Sequence, residues 1–94
     1  MINIQIYSEN FPLSESMRAL INERLAVPLD KYVTHWPEDQ KNAQLHITKE
    51  GPELFKVNFS MNNLYSEARH VNFEAAIVDL REQLEIQIKK LKKA

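Results

Sequence analysis

The sequence of 94 residues contains no cysteine, one glycine and one tryptophan. Without cysteine there are no disulfides, thiolate metal sites or cysteine nucleophiles, and no reason to invoke an oxidising compartment. A single glycine leaves no glycine-rich loop to cradle phosphates. No stretch approaches the ~20 apolar residues of a membrane span. The opening MINIQIYSEN places no apolar run after a basic region, so a secretory leader is not expected and a cytoplasmic location is. An excess of one charge is also missing. Twelve Lys and Arg against 13 Asp and Glu leave a net charge of −1. That balance argues against a general nucleic-acid binder, so any contact with a polyanion has to be local.

What is present reads as one small folded domain over residues 1–94, with 44% hydrophobic and 27% charged residues. Ile2, Ile4 and Ile6 alternate with Asn3 and Gln5, the period of a strand with one buried face. Ser14 is a good N-cap with Glu15 behind it in the first turn. Met17, Leu20, Ile21, Leu25, Leu29 and Tyr32 then recur at helical spacing, with Phe11 or Leu13 as a staple before the cap. Pro28 interrupts this pattern and predicts a kink, or a helix that ends near Ala26 and restarts at Pro28. The segment 34–42 is polar, contains Pro37 and is expected to be a loop. Ala43, Leu45 and Ile47 mark a second strand, and Glu50-Gly51-Pro52-Glu53 a turn. Phe55, Val57, Phe59 and Met61 mark a third strand. Asn62-Asn63 offers the positive φ angles of a two-residue hairpin turn. In the fourth strand Leu64, Ser66 and Ala68 face one way and Tyr65, Glu67 and Arg69 the other. Asn72 caps a last helix with the stripe Phe73, Ala76, Ile77, Leu80, Leu84, Ile88 and Leu91. The order β-α-β-β-β-α predicts an α+β two-layer sandwich: a four-stranded sheet with two helices on one face, the first two strands parallel.

The chemistry of catalysis finds little purchase. His35, His46 and His70 have no metal-ligand spacing, and Glu38-Asp39 reads as a solvated loop pair. Ser8, Ser14, Ser60 and Ser66 lack a nucleophile elbow. No enzyme activity, metal, cofactor or small-molecule substrate is expected. Tyr65 and Arg69 share a strand face with Glu67 between them. Such a face stacks bases in some sheets, but an ordinary cross-strand ladder is favoured. Tyr32 is assigned to the core, whereas Trp36 closes the core edge or stands out as a recognition knob. Positive charge is clustered on the helices. Arg24 and Lys31 are seven apart on one edge of helix one, and Arg81, Lys89 and Lys92 lie along one flank of helix two. A solvated helix face explains such clusters in most domains, with terminal lysines set against the helix dipole.

Three stretches carry a resemblance: Val57-Asn58-Phe59-Ser60 in the hairpin, Asn72-Phe73-Glu74-Ala75-Ala76-Ile77-Val78 opening the last helix, and Ser14-Glu15-Ser16-Met17-Arg18 opening the first. In this order and spacing the chain resembles the short ribosome hibernation promoting factor family, also described as the ribosome-associated inhibitor or light-repressed protein family. The resemblance implies the same β-α-β-β-β-α fold. It also implies binding to the small ribosomal subunit in the channel used by messenger and transfer RNA, and inhibition of translation under stress. Basic side chains along both helices would then hold ribosomal RNA phosphates, here Arg18, Arg24, Lys31, Arg81, Lys89, Lys90, Lys92 and Lys93. Gln83 and Ile86 stand where that family often carries Lys and Arg, Glu85 falls within the basic edge, and Met61-Asn62 replaces the hairpin glycines.

The expected function is therefore a monomeric translation inhibitor docked on the small subunit. One alternative is a protein-interaction domain on the same scaffold that has lost ribosome binding, motivated by an exposed Ile86 and Val78. A weaker one is a binder of free double-stranded RNA. Fold alone does not choose among them.

Overall fold

The computed structural model describes residues 2–9 and 12–92, except for the side chains of Leu91 and Lys92. Strands β1 (Asn3–Glu9), β2 (Asn42–Glu50), β3 (Leu54–Met61) and β4 (Leu64–His70) form a sheet in the order β1-β2-β3-β4. β1 and β2 are parallel, Ile4 opposite Ala43 and Ile6 opposite Leu45. The other two pairs are antiparallel, with Leu45 opposite Phe59 and Phe59 opposite Ser66. Helices on one face complete the two layers expected from the sequence pattern. The 20 residues of the last helix, Phe73–Lys92, span about 30 Å.

The first helical segment resolves the question posed by Pro28. It begins as α1 (Glu15–Ile21), passes through a π turn (Asn22–Ala26) and ends as α2 (Val27–Asp30). The last helix is α3 (Phe73–Lys92). The backbone stays right-handed helical at each junction, so the helix neither stops at Ala26 nor restarts at Pro28. Proline has no N–H and its ring collides with the carbonyl four residues back. The π turn widens the helix just before it, and the Val27 N–H reaches the Asn22 carbonyl five residues back.

Both caps form. The Met17 N–H donates to Ser14 Oγ at 3.2 Å, and the Ala75 N–H to Asn72 Oδ1 at 3.1 Å. The β3–β4 hairpin closes with positive φ at Asn62 alone, 56°, rather than at both turn residues. Gly51, in the β2–β3 turn, has φ 67°, where only glycine is free of strain.

Alternation sorts the strands as expected. Ala43, Leu45, Ile47, Val57, Phe59, Met61, Leu64 and Ala68 are buried beneath the helices, facing Leu25, Leu29, Ile77, Leu80, Leu84 and Ile88. Each buried Val, Leu, Ile, Phe or Met among them contributes roughly 1.5–3 kcal/mol by leaving water. Leu13, Tyr32 and Trp36 are partly buried against this core, which makes Trp36 an edge of the interior rather than a knob. The staple candidate Phe11 and the stripe residue Leu91 lie outside the described side chains. Two residues in or near the expected loop were not foreseen as interior. Val33 is fully buried just past the helical pattern. Lys41 is only 5% exposed, because a 3₁₀ turn (Glu38–Gln40) brings Glu38 within 3.5 Å of its ammonium. A long aliphatic stem can be covered while the charged head keeps an acid for company.

Candidate nucleic-acid interface

The two helical segments run side by side in the same direction. Arg24, in the π turn, lies 3.9 Å from Glu74 in the first turn of α3. Further along, the Lys89 ammonium sits 5.8 Å from the ring centre of Tyr32, just past α2. The C-terminal ends of both segments therefore meet at one end of the helical layer.

The eight predicted phosphate contacts divide on this frame. Arg24 is paired with Glu74, each side chain about half exposed at 53%. Arg81 lies 3.5 Å from Glu85 and 3.8 Å from Glu82. Its side chain is only 27% exposed, and its buried Nε is too poorly aligned on Glu85 for a hydrogen bond. Arg18 is exposed but faces β1, lining a shallow cleft with Ile4, Ile6 and Asn22, so it stands on the flank of helix one away from α3. Lys31, Lys89 and Lys90 are exposed at the shared end. Among the described residues none of these three, nor Arg18, makes an ion pair. Lys92 extends the helix with an undescribed side chain, and Lys93 lies outside the described residues.

The flank of α3 toward β4 carries polar side chains that serve the fold. Ser66 is 3% exposed, and its hydroxyl donates to Gln83 Oε1. Gln83 Nε2 in turn reaches Asp79 at 3.4 Å, and Gln87 Nε2 donates to the Tyr65 carbonyl at 2.7 Å. Glutamine at position 83 thus answers a buried hydroxyl, which a lysine would not accept from. Of the two apolar residues invoked for a protein partner, Ile86 is 55% exposed, whereas Val78 is half-buried and offers less surface than expected.

The charged residues of the Tyr65–Arg69 face form a cross-strand ladder. Arg69 approaches Glu67 at 3.7 Å and Glu50 at 3.9 Å, and Lys56 approaches Glu67 at 3.6 Å. His46 stacks on Tyr7 across the β1–β2 pair, while His35 and His70 are exposed.

Among solved structures, the chain is similar to the N-terminal domain of Protein Y from Thermus thermophilus, with 21% identity, a TM-score of 0.73, and coverage of 96% of this chain and 99% of that one. It is also similar to a ribosomal subunit interface protein from Coxiella burnetii, with 17% identity, a TM-score of 0.65, and coverage of 99% and 100%. At these identities the likeness establishes a shared fold. No curated protein matches by sequence. The family described as sigma 54 modulation protein / S30EA ribosomal protein matches residues 4–94, nearly the whole chain. The chain belongs to that family, in agreement with the resemblance carried by its hairpin and helix openings.

Proposed function

We propose that this protein is a ribosome-associated translation inhibitor. It docks on the small subunit in the channel for messenger and transfer RNA, holds ribosomal RNA phosphates and promotes hibernation under stress. Family membership supports ribosome association, as does the description of one structural neighbour as a ribosomal subunit interface protein. The observation that supports the RNA contact is the placement of exposed Lys31, Lys89 and Lys90 near the C-terminal ends of two adjacent segments, with no ion pair among the described residues. Lysines here favour the negative ends of two helix dipoles, yet remain exposed for phosphate. Lys92 and Lys93 extend the same run in sequence. Arg24 and Arg81 are offset by acids and take a smaller part, and Arg18 contributes from the other flank. Inhibition is steric, with no covalent chemistry.

Co-sedimentation with purified small subunits tests this. Binding at moderate salt that falls steeply as salt rises is the expected result. Absence from the subunit fraction at low salt contradicts it. The exposed Ile86 favours a second reading, a domain that captures a protein partner through α3. Recovery of one partner protein without ribosomal RNA, lost on Ile86→Lys, is the outcome that reading requires.

A further inference from the structure

The sheet face turned away from the helices plays no part in the phosphate contacts. Its side chains stand in rows across the strands. Gln5, Gln44, Ser60 and Tyr65 share one row, with Tyr7, His46, Asn58 and Glu67 in the next. At the end nearest the hairpin turn, Asn3, Gln5, Asn42, Gln44, Ser60 and Asn62 line an open concavity of about 580 Å³. None of the side chains lining it is charged. In the neighbouring row the rings of Tyr7 and His46 stack, 4.9 Å apart and 18° from parallel. Tyr7 is 46% exposed, and Tyr65, beside Ser60, is 56% exposed.

This chemistry selects for a kind of ligand. Asn and Gln amides present a donor and an acceptor side by side, matching the edge of a heterocyclic base; here Gln5 Oε1 accepts from the Tyr7 hydroxyl and Asn42 Nδ2 reaches the Asp39 carbonyl, which leaves Gln44 and Asn62 for such reading. Exposed rings on a sheet give bases a stacking platform. An anion or a cation finds no counter-charge in the concavity. The cations of this face, Lys56 and Arg69, stand at its other end and are engaged by Glu67 and Glu50.

We propose that the open sheet face binds unpaired bases of single-stranded RNA, stacking them on Tyr7–His46 and Tyr65 and reading their edges with the amides. Only the choice of RNA over another ring-bearing polymer rests on the ribosome reading above. The protein then contacts RNA in two ways: phosphates at the lysine end of the helices, bases on the opposite face. The first is steeply salt-dependent, and the second, which uses no free cation, much less so.

The test is a titration of the full-length, isotope-labelled protein with an unstructured octaribonucleotide at high salt, followed by amide chemical shifts. Shifts at Gln5, Gln44, His46 and Tyr65 are expected. Tyr7→Ala and Tyr65→Ala should each weaken binding about tenfold, with the circular dichroism spectrum unchanged. Shifts confined to the helices, no shifts at all, or the same shifts produced by a neutral oligosaccharide and not by RNA would each overturn the proposal. Pelleting with small subunits is read in parallel. Pelleting without open-face shifts ends this inference alone, and open-face shifts without pelleting end the ribosome reading alone.

Discussion

The helical layer carries cations at two places and uses them differently. In the first turns of α3 and at its middle, Arg24 and Arg81 lie against Glu74, Glu82 and Glu85. At the shared C-terminal end, Lys31, Lys89 and Lys90 are exposed and make no ion pair among the described residues. Counting basic residues along each helix treats the two places as equal. An exposed ion pair contributes only about 0–1 kcal/mol to stability, but its carboxylate still competes with an incoming phosphate. In a protein of balanced charge, cations free of carboxylate partners are the ones open to an anion.

The largest effect should come from neutralising the bare end. Lys31→Gln, Lys89→Gln and Lys90→Gln together should weaken small-subunit binding about hundredfold near 0.1 M salt, since each phosphate contact contributes a slope of about −0.9 in log affinity against log salt. Filter binding or pelleting measures it. Next, Glu82→Gln with Glu85→Gln releases Arg81. Affinity should rise about fivefold and the salt slope steepen by about one. Asn72→Ala removes the cap of α3 and acts on both places alike. It should cost about 1 kcal/mol in denaturant unfolding while leaving ribosome affinity unchanged. Smallest is Pro28→Ala. The π turn already accommodates the missing donor, so stability should change by less than ~1 kcal/mol, well below the ~3 kcal/mol a proline costs inside a regular helix.

Much of the fold was legible because its signals are local. Alternation in β1 to β4, Ser14 and Asn72 as caps, and the stripe of α3 each follow from spacing along a few residues, and each recurs in the structure. What was not legible depends on residues distant in sequence. The role of Gln83 is set by Ser66, 17 residues away on another element. The partner of Arg24 is Glu74, which no helical spacing connects to it. Lys41 fell in the expected loop and Val33 just before it, and the sequence pattern does not encode the chain path that buries them. The basic residues themselves are plain in the sequence, but their division into engaged and unpaired groups required the packing of one helix on the other.

The most direct test of the central claim is the salt slope of small-subunit binding for three proteins side by side: the natural chain, Arg24→Gln with Arg81→Gln, and Lys89→Gln with Lys90→Gln. The lysine pair should lower the slope by about two and the arginine pair by less than about one. A larger loss from the arginine pair, or equal losses from both, would contradict the claim.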